Sequence, residues 1–202
     1  MELNLEGIGK KFHSKWIFRG LSLNIEAGRH HAIVGKNGSG KSTLLMIAAG
    51  YLSPSAGTVR WKLNGKPLEE EKVFRQVAIA APYLELVEEY TLEESILFQK
   101  RFKAFREPQI QVMLDHSGLG DHAHIPLKNF SSGMKQRARL MLAIMSEARL
   151  LLLDEPCSNL DADSIAWYQQ MVDTWCRDRT LIIFSNHNTH EYHTSQVSHS
   201  LS

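Results

Sequence analysis

Gly35-Lys36-Asn37-Gly38-Ser39-Gly40-Lys41-Ser42-Thr43, or GKNGSGKST, fits the pattern G-x-x-x-x-G-K-[ST] at every fixed position. It follows His31-Ala32-Ile33-Val34, a short apolar run that reads as a central strand, and it opens into Leu44-Leu45-Met46-Ile47-Ala48-Ala49, which reads as a helix. Glycines let backbone N–H groups turn inward around phosphate oxygens, and the start of the following helix adds partial positive charge. Lys41 can bridge terminal phosphates and Ser42 can ligate magnesium, so the stretch is expected to bind a nucleoside triphosphate. The plain alternative is a glycine-rich turn that only joins a strand to a helix. The strand–loop–helix setting stands against it.

A phosphate loop alone leaves many families open, and the second half of the chain narrows them. Leu150-Leu151-Leu152-Leu153-Asp154-Glu155-Pro156 ends an apolar strand on two adjacent carboxylates, at the sheet edge where ligands of an open parallel sheet collect. Two acids there would repel each other without a cation. Asp154 is therefore read as a magnesium contact, direct or through water, and Glu155 as the group that polarises the attacking water. Further back, Phe130-Ser131-Ser132-Gly133-Met134-Lys135-Gln136-Arg137 places small residues at the start of a helical run, which is both an N-cap and an anion-binding device.

Around these motifs the chain reads as α/β. Residues 3–5 and 21–25 alternate apolar and polar as half-buried strands, and residues 58–63 followed by Asn64-Gly65 read as a hairpin strand with a tight turn. Together they predict an N-terminal antiparallel β-layer. From residue 91 to about 147 the spacing of Leu92, Ile96, Phe102, Phe105, Met113 and Leu114 is helical, predicting an inserted helical lobe. Residues 150–153 and 180–184 are strand-like and flank an amphipathic segment, 161–177, which implies a parallel sheet with a crossover. At 202 residues and 43% hydrophobic content, a single domain over 1–202 is expected, with core and β-layer in 1–90 and 148–202.

Composition limits the partners. With 23 Lys and Arg against 22 Asp and Glu the net charge is +1, so no whole-chain field points to nucleic acid or an anionic membrane. Two cysteines make no disulfide framework, the N-terminus lacks a secretory apolar run, and no apolar run approaches the ~20 residues of a membrane-spanning helix. The chain reads as cytosolic, without direct membrane insertion. His30, His31, His190, His193 and His199 read as scattered surface histidines, because no Cys or acidic residue accompanies them at ligand spacing.

The order of these motifs resembles the ATP-binding cassette (ABC) family along nearly the whole chain. The resemblance implies a P-loop NTPase core, RecA-like, with ATP and Mg2+ as cofactors. It implies ATP contacts from Gly35, Lys36, Asn37, Gly38, Ser39, Gly40, Lys41, Ser42 and Thr43, with Ser42 and Asp154 at the metal and Glu155 as catalytic base. Phe130-Ser131-Ser132-Gly133-Met134 is similar to the family signature LSGGQ, so Ser131, Ser132 and Gly133 are expected to cap the nucleotide of a second protomer. His187 resembles the switch histidine, residues 158–161 the D-loop, and Phe12, or alternatively Trp16, the aromatic residue that stacks on adenine. Pro82 stands where the family usually has a glutamine that touches magnesium, leaving Ser42, Asp154 or a nearby side chain such as Glu85 to hold the metal. The family's last strands and helix are expected to be abbreviated or missing after His187.

As an implication of that resemblance, the chain is an ATPase subunit that energises a transporter, an exporter in the leading reading. It would pair with a second protomer, identical in the simplest case, and with separate transmembrane permease subunits on the cytoplasmic face of the membrane. Two alternatives remain open: a soluble cassette ATPase acting on nucleic acid or ribosomes, and an ATP-binding module with weak hydrolysis. Near-neutral charge and a single cassette stand against the first, and the missing glutamine keeps the second alive.

Overall fold

The computed structural model describes residues 1–201; Ser202, which closes the expected domain range, lies outside the described residues. Along the chain run β1 (Glu2–Phe12), β2 (Lys15–Ile25), β3 (His30–Gly35), α1 (Lys41–Ala48), β4 (Ala56–Leu63), β5 (Lys66–Leu68), the single turn α2 (Glu70–Val73) and β6 (Val77–Ala80). Then follow α3 (Leu92–Lys100), α4 (Ile110–Ser117), α5 (Ser132–Ile144), β7 (Leu150–Asp154), α6 (Ala162–Trp175), β8 (Thr180–Ser185) and β9 (Gln196–Leu201). Among the described residues no helix is long and apolar enough to cross a membrane.

Two sheets result. The first has the order β2-β1-β4-β5 with antiparallel pairs throughout, and the expected turn joins β4 to β5, where Asn64 and Gly65 take φ 52° and 76°. The second is parallel, with the order β6-β7-β8-β3-β9. Strands β7 and β8 are buried on both faces, which explains why they read as apolar runs without alternation.

Successive side chains of a strand point to opposite faces, and here the two faces serve different cores. Leu150, Leu152, Ile182 and Phe184 join α1 and the antiparallel layer, where Leu3, Leu5, Ile8, Leu44, Leu45 and Ile47 are buried. Leu151, Leu153, Leu181 and Ile183 join the other core with Leu92, Ile96, Met113, Leu114 and the apolar face of α5. The predicted helical segment thus shares its core with the parallel sheet rather than burying one of its own.

The tail, where the final elements were expected to be abbreviated or missing, keeps one strand among the described residues. Residues 196–201 form β9, parallel to β3 at the sheet edge, with Gly35 opposite Leu201. Its polar composition hides it, because backbone pairing with β3 forms this strand and only Leu201 supplies clear apolar burial.

Candidate functional site

β3 delivers the chain to the phosphate loop and α1 takes it away. Gly40 sits at φ 97°, and a Cβ there would lie 2.7 Å from Ile17 Cγ2 and 3.0 Å from Phe18 Cδ1, so both backbone conformation and the approach of β2 require glycine. The first turn of α1 has no side-chain cap and no acidic residue, which leaves its N–H groups available to an anion.

Lys41 is only 5% exposed, and its Nζ donates to the carbonyls of Gly35 at 2.8 Å and Lys36 at 3.2 Å. The same ammonium stands 3.6 Å from Glu155 Oε1. Ser42 Oγ donates to Asp154 Oδ2 at 2.7 Å. Asp154 is 3% exposed, and burial, countered in part by the Ser42 hydrogen bond, holds its carboxyl above the usual carboxylate range. Its Oδ1 is buried without a direct hydrogen-bond donor. A hydroxyl beside an unsatisfied carboxylate oxygen is a hard-oxygen pair that suits Mg2+, so the residues present fit the metal the fold implies.

These groups share a cavity of about 450 Å3, also lined by Ile17, Asn37, Gly38, Gly40, Thr43, Pro82 and Tyr83. Ile17 and Tyr83 escaped the sequence reading. Tyr83 interacts with both Ser42 and Asp154, and its phenol is pushed above its ordinary pKa by burial first and then by the Asp154 charge. Glu85 does not line this cavity; it faces a second one with Arg75, Phe102 and Arg139, and its charge acts on the Arg139 guanidinium. Phe12 is 47% exposed under the Lys10 ammonium, 5.4 Å from its ring centroid, and is not among the cavity residues.

Beyond β7 the backbone is strained. Glu155, Asn159 and His187 hold φ 44°, 61° and 59°, three of the five described non-glycine residues with positive φ. Strain of this kind gathers at functional loops. Glu155 N donates to Phe184 O at 2.8 Å, fixing the exit of β7 against β8, and the exposed His187 follows the end of β8.

Ser131 caps α5, its Oγ accepting from Met134 N at 3.2 Å. Ser131 and Ser132 are exposed and neither they nor Gly133 line the phosphate cavity; a Cβ on Gly133 would come within 3.0 Å of Asn159 O. Inside α5, Gln136 Nε2 donates to Pro156 O at 2.9 Å, while Arg139 donates to Gln136 Oε1 and, through Nε, to Leu84 O at 3.0 Å. The helix that carries the two serines is therefore bonded both to the exit of β7 and to the segment after Pro82.

The histidines expected on the surface divide. His31 is buried in β3, and burial lowers its pKa, whereas His30 bonds Thr194 Oγ1 at 2.7 Å and Cys176 O at 3.0 Å. His31 was misplaced because a histidine in an apolar run gives no sign of its face.

A family model described as "ABC transporter" matches residues 18–158. The chain is 32% identical over 200 residues to the arabinose import ATP-binding protein of Pectobacterium atrosepticum, covering 94% of this chain and 39% of that protein. It is 30% identical over 187 residues to the cytochrome c biogenesis ATP-binding export protein of Pseudomonas aeruginosa, covering 90% of each. Among solved structures, a dimeric ATP-binding cassette in a post-hydrolysis state, bound to ADP and Pi, shares the fold with a TM-score of 0.81 at 20% identity, over 96% of this chain and 91% of that one. With a family match across most of its length and a relative aligned nearly end to end, the chain belongs to the ABC transporter family, as an ATP-binding domain of its ATPases.

Proposed function

We propose that this chain, acting as one ATPase unit over its length, hydrolyses MgATP to energise an exporter whose membrane-spanning parts are separate subunits. It works as a homodimer, peripheral on the cytoplasmic face. The observation that carries this reading is a split constellation. Lys41, Ser42, Asp154 and Glu155 converge on one cavity, while Ser131, Ser132 and Gly133 lie exposed outside it, available to a second copy. Nearly mutual coverage with an export protein supports the direction, and the net charge of +1 weighs against nucleic acid.

In this reading Lys41, already stripped of water, exchanges its carbonyl contacts for the terminal phosphate, and the free N–H groups of α1 hold the phosphate oxygens. Ser42 and Asp154 would hold Mg2+, which when bound neutralises charge on the phosphates. Glu155, released from Lys41 once the phosphates compete for that ammonium, orients the attacking water and accepts its proton. His187 contacts the terminal phosphate. The backbone and hydroxyls of the partner copy's Ser131–Gly133 segment close the site against bulk water.

Paired variants test the assignment. Glu155→Gln should keep ATP affinity and lose turnover by about 10²–10⁴-fold, the usual worth of a positioned base. Lys41→Ala should weaken binding itself, as titration calorimetry would register. Unchanged turnover in Glu155→Gln removes that residue from its role. Co-fractionation with ribosomes, in place of a polytopic membrane protein, would move the chain to the non-transport alternative.

A further inference from the structure

We propose that Glu191 is a positioning residue for ATP hydrolysis, its buried carboxyl holding the turn after Glu155 against the loop that carries His187. This rests on the nucleotide-site reading above and adds to it a residue that lies outside the phosphate cavity.

Strands β7 and β8 end side by side, and two bonds join the segments that leave them. Glu155 N donates to Phe184 O at 2.8 Å at the strand ends, and farther out Cys157 N donates to Glu191 Oε1 at 3.2 Å. Together they close a ring from residues 155–157 and 184–191, to which both Glu155 and His187 belong. Each side of the ring is braced. Ser158 N donates to Glu155 O at 3.0 Å, and Asn188 N donates to Ser185 Oγ at 3.1 Å across His187. Glu191 N donates to Asn188 O at 3.1 Å, and α6 pins the same stretch, the buried Tyr168 hydroxyl donating to Glu191 O at 2.6 Å and Gln169 Nε2 to His190 O at 3.0 Å. Without the Cys157 bond the ring is open, and the spacing of Glu155 and His187 loses this constraint.

Packing does not account for the residue. Glu191 is 3% exposed and its Oε2 is buried without a hydrogen-bond partner among the described residues, so the carboxyl carries a desolvation cost that an apolar side chain of similar size would not. What it supplies is a long side chain ending in an acceptor for a backbone N–H that is itself shut off from water. An acceptor oxygen is present in the acid and in the carboxylate alike, so the bond needs reach and not charge. Glutamine has the same reach and the same acceptor, whereas alanine has neither.

Phosphate release is measured across ATP concentration, with calorimetric ATP affinity and apo melting, for wild type, Glu191→Ala, Glu191→Asp, Glu191→Gln and Thr180→Val. Thr180→Val strips the opposite end of β8 of its bonds to Met1 O and Gly28 N and serves as the control for lost stability. The expected result is that Glu191→Ala, and Glu191→Asp with its shorter reach, lose about tenfold in kcat, the worth of a buried N–H left unpaired, with KM and ATP affinity at wild-type values. Glu191→Gln restores kcat to within about twofold, and Thr180→Val keeps it. Wild-type kcat in the short variants overturns the proposal, as does a Glu191→Gln as slow as Glu191→Ala, a loss that falls on ATP affinity instead, or an equal slowing in Thr180→Val. Should Glu191→Ala fail to fold, Glu191→Asp against Glu191→Gln decides by the same criteria. Absence of ATP binding and turnover in the wild type overturns the function reading and this one together.

Discussion

Neighbouring carboxylates tolerate burial when each has its own compensation, and Asp154 and Glu155 do: one accepts from Ser42, the other stands 3.6 Å from Lys41. Glu191 is less well served. It is 3% exposed, only one of its oxygens is bonded, to Cys157 N at 3.2 Å, and burial, helped by the charges of Glu155 and Asp154, pushes its pKa up to about 7. A raised carboxyl pKa means the folded state keeps a proton that the unfolded chain has released. Stability contributed by Glu191 is therefore full below its ordinary value of 4.5 and falls as pH rises through about 7. Glu191→Gln should keep the Cys157 contact and flatten that decline, which urea denaturation at pH 5 and pH 8 would register; an unchanged slope contradicts it. That Lys41, Ser42, Asp154 and Glu155 come together was legible in sequence, because both motifs have fixed spacing at strand ends. Tyr83 and Glu191 were not, since nothing in the spacing says which way a tyrosine after a proline points or that a glutamate in a polar tail is buried.

At the scale of elements, α5 joins the parts of the site. Its first residue is capped by Ser131, its middle is bonded to Pro156 and Leu84, and its end is held by Arg179, buried at the start of β8, which donates to Ile144 O and, at 2.9 Å, to Ser146 O. The segment after Pro82 is thereby bonded to the helix that Ser131 caps. Ser131→Arg should cost about 1 kcal/mol of stability through the lost cap. Its larger effect should be on turnover, because a bulky cation then stands where the proposed dimer would dock a partner's phosphate. Unaltered ATP binding in calorimetry beside abolished phosphate release is the expected pair; undiminished release contradicts the docking role. Helix α5, the crossover through α6 and the hairpin turn at Asn64-Gly65 were readable from period and turn chemistry. β9 was not, because an edge strand formed by backbone pairing needs few apolar residues.

For the whole molecule, the two cores lie on opposite faces of one parallel sheet, so the antiparallel layer and the helical segment are tied through the strands that carry Asp154 and Glu155. Thr180 adds a polar tie: its Oγ1 donates to Met1 O at 2.6 Å and accepts from Gly28 N at 3.0 Å, joining the start of β1 to β8. Within this fold the phosphate cavity and the exposed serines of α5 remain apart, and in the proposed reading a complete site takes two chains. Sequence order suggested this arrangement only through family resemblance; which residues stay separate within one chain is a property of the packed structure. The most direct test is ATP turnover per chain measured across protein concentration, with the mass in solution followed by sedimentation. The account predicts turnover that rises with the dimer fraction and vanishes in dilute monomer. Full turnover per chain in a solution of monomers would contradict it.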